Sequence, residues 1–330
     1  MKRYGLYLVG GAALILLSGA FFIPRPIVYY SSTVVPLVVR EAQATTSTLV
    51  FVGDIMLSRN IGGLMAKNGD WNYPFMAMAD YLKRADLTFG NLEGPLSLRG
   101  KRVESIYSFE ADPRSVEGLV RSGFDVLSIA NNHIWDYGAP AFEDTLKVLT
   151  DNGISPVGGG NSFEIAHTPA VKDVNGTKVA FLAYTDLLPP FLGKDAPGPT
   201  VASPDDVVRM SSDIRNARSL ADIVVVSFHF GEEYATVHNS FQEGLAHAAI
   251  DAGADLVVGH HPHVVEDIEQ YKGKYIAYSL GNFVFDQNFD ADTRHGMLLS
   301  VTLRDKKIVS VAPQEVRFTE TYQPYLVNDI

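Results

Sequence analysis

The chain is 330 residues long, 46% hydrophobic and 20% charged, with a formal net charge of −11; this composition supports a sizeable core and excludes global disorder. It contains no cysteine, which excludes disulfides, thiolate zinc sites, iron–sulfur clusters and a lipid-modified amino-terminal cysteine, so any metal must be held by nitrogen and oxygen. The acidic balance and the lack of a Lys or Arg run exclude nucleic acid as an expected partner.

Gly5 to Ile23 is uncharged and uninterrupted, preceded by Lys2 and Arg3 and closed by Pro24 and Arg25. At about 1.5 Å per residue it can just cross a hydrocarbon layer of roughly 30 Å, and the basic flank predicts a cytoplasmic amino terminus with the remainder outside. Residues 1–24 are therefore expected to be a single-pass transmembrane anchor held in membrane lipid, and 25–46 a stalk. The competing reading is a cleaved signal peptide ending at Ala42-Gln43-Ala44, although that site lies far from the apolar core. One domain is expected over 47–318, followed by a tail over 319–330.

Within the domain, short apolar runs end in polar residues. Leu49 to Gly53 reads as a buried strand ending in Asp54, and Ala85 to Phe89 as a second ending near Asn91 and Glu93. Phe124 to Ile129 ends in Asn131, Asn132 and His133, and Ile223 to Phe228 in His229. Asp255 to His263, reading DLVVGHHPH, delivers His260, His261 and His263 after an apolar run bounded by Gly259. Helical periodicity covers Pro74 to Lys83, Arg114 to Arg121, Ala141 to Thr150, Asp205 to Leu220 and Phe241 to Ala252. Two hairpins are predicted, one about Asn175-Gly176 and one about Asp305 and Lys306. The alternation argues for an α/β domain with some antiparallel sheet.

In open α/β sheets ligands bind at carboxyl ends of strands, and those ends carry Asp54, Glu93, Asn132, His133, His229 and the histidine triple. Carboxylate, amide oxygen and imidazole together suit Zn, Mn or Fe without distinguishing among them, as one ion or two. Blander readings stay beside this one. Asp54 could cap a helix, Asn131 or Asn132 could hold a turn with positive φ, Glu93 could sit in a surface turn, and His229 could be a satisfied core residue. Asp136, three residues after His133, could orient that ring or merely start a helix. His167, His238, His247 and His295 fall outside the strand-end pattern and read as packing or surface residues; Arg59, close after Asp54, could bind an anion but reads first as a solvated side chain. No GxSxG elbow, Walker A loop or HExxH helix is present.

The stretches GDIML from Gly53, NLEGPLS from Asn91, ANNHIWDYG from Ala130, FHFGEEY from Phe228 and GADLVVGHHPHVVEDIEQYKGKYIAYSLGNFVFDQ from Gly253 resemble the CapA family of bacterial capsule and poly-γ-glutamate synthesis, a branch of the calcineurin-like metallophosphoesterases. The resemblance implies a four-layer sandwich, two mixed β-sheets flanked by helices, with the site at one edge. It implies that Asp54, Glu93, Asn132, His229, His261 and His263 hold metal, Glu93 standing in for a bridging aspartate, and that His133 is catalytic. Where the wider family usually has a ligating histidine two residues after the first aspartate, this chain has Met56. The resemblance further implies an anionic extracellular polymer or its precursor, and membrane-bound polymer synthesis proteins, as partners. Two functions remain open: a metal-dependent hydrolase acting on a phosphoester or polymer linkage, and a non-catalytic accessory that binds polymer in the same cleft.

Overall fold

In a computed structural model, the structure describes residues 46–103, 106–188, 192 and 198–327. Among the described residues no helix is long and apolar enough to cross a membrane; the expected anchor at Gly5 to Ile23 lies outside them.

The chain runs β1 (Thr46–Ile55), α1 (Arg59–Asn68), α2 (Ala79–Leu82), β2 (Leu87–Leu92), α3 (Val116–Arg121), β3 (Val126–Ser128), α4 (Ala139–Asp151), β4 (Ser155–Val157), β5 (Gly159–Gly160), α5 (Phe163–Ala166), β6 (Ala170–Val174) and β7 (Thr177–Thr185). It continues through β8 (Thr200–Val201), α6 (Val207–Leu220), β9 (Ile223–His229), α7 (Ser240–Ala252), β10 (Leu256–His260), β11 (Ile268–Tyr271), β12 (Lys274–Ala277), β13 (Asn282–Val284), β14 (His295–Arg304), β15 (Lys307–Phe318) and β16 (Pro324–Leu326). One large sheet has the order β16-β15-β14-β1-β2-β3-β4, with β13 pairing the carboxyl end of β1 at Asp54 and Ile55; a second has the order β11-β12-β10-β9-β7-β6, and β5 and β8 form a small two-stranded sheet. Both large sheets are mixed: β1 to β4 and the run β12-β10-β9-β7 are parallel, and the outer strands are antiparallel.

The near-continuous apolar runs follow from burial on both strand faces. Along β1, Leu49 and Phe51 face the second sheet, where they meet Phe181, Val225 and Val258, while Val50 and Val52 face Ile61, Leu82 and Phe142 of the helical side. The same period of two operates in β9, whose Val225 points between the sheets and whose Val224 and Val226 pack on Ile214 of α6 and Ala246 of α7. Phe89 and Phe181 stack across the sheets with ring centroids 5.6 Å apart. The layers are thus helix, sheet, sheet, helix.

Both hairpins form: Asn175 and Gly176 turn β6 into β7, and Asp305 and Lys306 turn β14 into β15, all four with positive φ. Three features depart from the sequence reading. The helical run expected from Pro74 breaks into a 3-10 turn at Tyr73–Phe75 and the four-residue α2. Helix α1 carries Gly62-Gly63, whose poor helix propensity hid it. Beyond 318 the chain adds β16, antiparallel to β15, with Leu326 buried in the outer core.

Candidate metal centre

The register of the parallel strands brings the polar ends together. Asp54 lies opposite Asn91 on β2 and Asn282 on β13, and His229 lies opposite His260 on β10. Two close backbone approaches let this happen. A Cβ on Gly53 would stand 1.9 Å from the carbonyl oxygen of Gly281, and one on Gly259 would stand 1.8 Å from that of Tyr278. Glycine is required at both points.

Asp54 is fully buried and caps no helix. Its Oδ1 accepts from Asn91 Nδ2 at 2.9 Å and lies 3.2 Å from His260 Nδ1; its Oδ2 lies 3.3 Å from His263 Nδ1 and accepts the His261 N–H. Glu93 is buried as well, with Oε1 3.6 Å from His263 Nε2 and 4.0 Å from His133 Nε2. His229 places Nε2 2.8 Å from Asn132 Oδ1 and Nδ1 3.3 Å from Asn91 Nδ2. Neither Asn131 nor Asn132 has positive φ. Asn131 instead donates to Asn91 Oδ1 and the Leu92 carbonyl, and accepts from the backbone of His133 and Ile134, which fixes the turn.

His133 and Asp136 form a pair: Nδ1 to Oδ2 is 2.8 Å, and the same oxygen accepts the Phe109 N–H at 2.7 Å. The Phe109 ring packs on the imidazole with centroids 4.1 Å apart. Nε2 is left towards Glu93 and a cleft of about 550 Å³ lined by Arg59, Tyr107, Phe109, His133, Tyr234 and His263 among others. Arg59 is not merely solvated, for its guanidinium lies 3.1 Å from the buried carboxylate of Asp286 at this cleft.

Burial, followed by the neighbouring His261, holds His229 well below the usual imidazole range, and burial with His263 brings His261 down to about 3. Neutral imidazoles keep a lone pair for a metal. Burial works against charging His263, but Glu93 and Asp54 outweigh it and bring that ring up to about 9. Burial likewise disfavours the Asp54 carboxylate, yet His260 and His263 hold it well below its ordinary range, whereas burial raises Glu93 well above its own.

A divalent ion fits this donor set. Among the described residues, both carboxylate oxygens of Glu93, both ring nitrogens of His260 and Nδ1 of His261 are buried without a well-formed hydrogen bond, a costly state unless something else satisfies them. Asp54, Glu93 and His229 each offer a ligand atom within 4.8 Å of the others, and so do Glu233, His261 and His263. His229, His261 and His263 lie side by side, with successive ring centroids 4.9 and 6.0 Å apart, but fall into two donor groups. Asn91 and Glu233 are not among the donors the sequence singles out, Asn91 sitting at a strand end noted there and Glu233 following β9 in a loop with no periodic signal; His260 belongs to the histidine triple but not to the ligand set the resemblance implies. The four histidines assigned to packing or surface behave so: His167 pairs with Asp213, His238 and His247 stack on Tyr278 and Tyr271, and His295 opens β14.

Residues 48–287 match the family described as Bacterial capsule synthesis protein PGA_cap. The chain is 36% identical over 296 residues to the capsule biosynthesis protein CapA of Bacillus anthracis, covering 87% of this chain and 71% of that one. It is 38% identical over 259 residues to the PGA biosynthesis protein CapA of Bacillus subtilis strain 168, covering 77% and 67%. In fold it is similar to the crystal structure of a hypothetical protein from Thermus thermophilus, with a TM-score of 0.50 and 19% identity over 81% of this chain and 98% of that one.

Proposed function

The chain belongs to the bacterial capsule synthesis protein family PGA_cap, and from that premise we propose a membrane-anchored, metal-dependent hydrolase that acts outside the cell on a phosphoester or polymer linkage. Its setting is the making, anchoring or export of an anionic extracellular polymer such as poly-γ-glutamate, beside membrane-bound synthesis proteins. The observation that carries this reading is the His133–Asp136 pair standing at the cleft beside buried, unsatisfied metal-type donors.

Asp54, Glu93, Asn132, His229, His261 and His263 would hold Mn, Zn or Fe, which when bound supplies Lewis-acid activation of water and stabilises an in-line displacement. The protein's own contribution is proton placement. With Nδ1 of His133 donating to Asp136, Nε2 is the ring nitrogen left for the leaving oxygen, to which it would give a proton from the doubly protonated ring. Phe109 packs on the ring on one side and donates its N–H to Asp136, so both members of the pair are held in position.

The accessory reading, polymer binding without catalysis, has its own support in Met56, which occupies the place of a usual ligand and is a poor donor to a hard ion. Its Sδ accepts from Ser58 N–H and Oγ–H at 3.2 and 3.0 Å. Hydrolysis of a generic phosphodiester by the purified full chain, with and without Mn, separates the two. Mn-dependent turnover abolished by Asp54→Asn supports the hydrolase; binding of polymer without turnover supports the accessory.

A further inference from the structure

We propose that Glu233, in the loop after β9, supplies a carboxylate ligand to a second divalent cation held by His261 and His263. This rests on the reading that the site holds a divalent cation at all. Asp54, Glu93 and His229 already form one three-donor group without Glu233. A second three-donor group consists of Glu233, His261 and His263, with one oxygen and one ring nitrogen of each histidine within 4.8 Å of one another. Donors sharing an ion at about 2.0–2.2 Å lie no more than roughly 4.4 Å apart. Rotation of an exposed glutamate side chain closes that gap.

The backbone supports the assignment independently. Tyr234, His261 and His263 all have positive φ, at 67°, 99° and 59°, a conformation that bulky residues adopt only where the surroundings impose it and that gathers at functional sites. The loop carrying Glu233 is tied directly to the histidine turn, because Tyr234 N–H donates to the Pro262 carbonyl at 2.8 Å. Tyr234 is braced by Phe289, ring centroids 5.2 Å apart. Two loops with strained residues, joined by a hydrogen bond, hold the three donors side by side. Two histidines and a glutamate are a donor set typical of a zinc site that keeps an open position.

The test uses the full chain in detergent, stripped and then titrated with Mn or Zn. Bound metal is counted by inductively coupled plasma mass spectrometry, and each equivalent's affinity is measured by calorimetry. Wild type should bind two equivalents. Glu233→Gln should lose one, or weaken one at least tenfold, with the other equivalent and the metal-free Tm unchanged, while Glu232→Gln should behave as wild type. If Glu233→Gln keeps wild-type stoichiometry and affinities, or if Glu232→Gln weakens binding equally, Glu233 is not a ligand and the metal reading of the remaining site stands. If wild type binds no cation at all, both the inference and the metal reading fall.

Discussion

His133 Nδ1 lies 2.8 Å from Asp136 Oδ2, and the opposite ring nitrogen lies 4.0 Å from Glu93 Oε1, so one imidazole spans a holding carboxylate and a buried site carboxylate. The first prediction concerns that ring. His133→Ala should keep bound metal and the fold while lowering any hydrolytic rate by about 10²- to 10⁴-fold, the usual scale for a positioned acid or base. Loss of metal from that variant would make His133 a ligand instead.

A second prediction tests the strand-end architecture. Alanine at Gly259 would drive Cβ into the Tyr278 carbonyl, beside the hydrogen bond from Leu280 N–H to Gly259 O. Forcing atoms into a packed interior typically costs about 1–3 kcal/mol or more, and this contact is backbone against backbone, so Gly259→Ala should lower stability by about 3 kcal/mol in denaturant titration. A cost below about 1 kcal/mol would show that β10 can shift without disturbing the site.

The third prediction is a pH dependence away from the metal centre. Burial raises the Glu266 carboxyl to about 7, with Asp267 adding and the Gln242 amide and His238 opposing. A carboxyl with a raised folded value favours the folded state in its protonated form. That stability is fully present below its ordinary value near 4.5 and is lost as pH rises through about 7. Thermal melts of wild type should therefore fall between pH 5 and 8 more than those of Glu266→Gln, which can keep a contact to Gln242. Parallel curves for the two proteins would remove Glu266 as the cause.

The fourth prediction is topological. If Gly5 to Ile23 spans the membrane with Lys2 and Arg3 inside, protease added to intact protoplasts should digest the domain and leave a short membrane-bound fragment. Full protection of the domain would reverse the orientation, and release of an intact domain into the medium would favour cleavage near Ala44.

Most of the candidate centre could be read in the sequence because a buried strand announces itself by an apolar run and its end by the first polar residue. Asp54, Glu93, His229, His261 and His263 all lie at or just beyond such ends. What escaped depended on contacts that sequence spacing does not encode. Asn91 is a hub because β2 sets it opposite Asp54 and within reach of His229, 138 positions away. Glu233 enters through a hydrogen bond between loops and through positive φ at three non-glycine residues. Helix α1 was missed because its glycines contradict local propensity, and burial of Ile61 and Met65 overrides them. Layer order could not be read from periodicity at all, since strands buried on both faces show the same apolar run whichever sheet they join; it came from the family resemblance.

The central claim is that buried strand-end donors hold a divalent ion, and crystals grown with Mn test it most directly by anomalous diffraction. The account predicts a peak within about 2.0–2.3 Å of side-chain atoms from Asp54, Glu93 and His229, lost in the His229→Ala protein. A map with no peak among those three residues, at Mn concentrations that saturate any binding seen in solution, would contradict it.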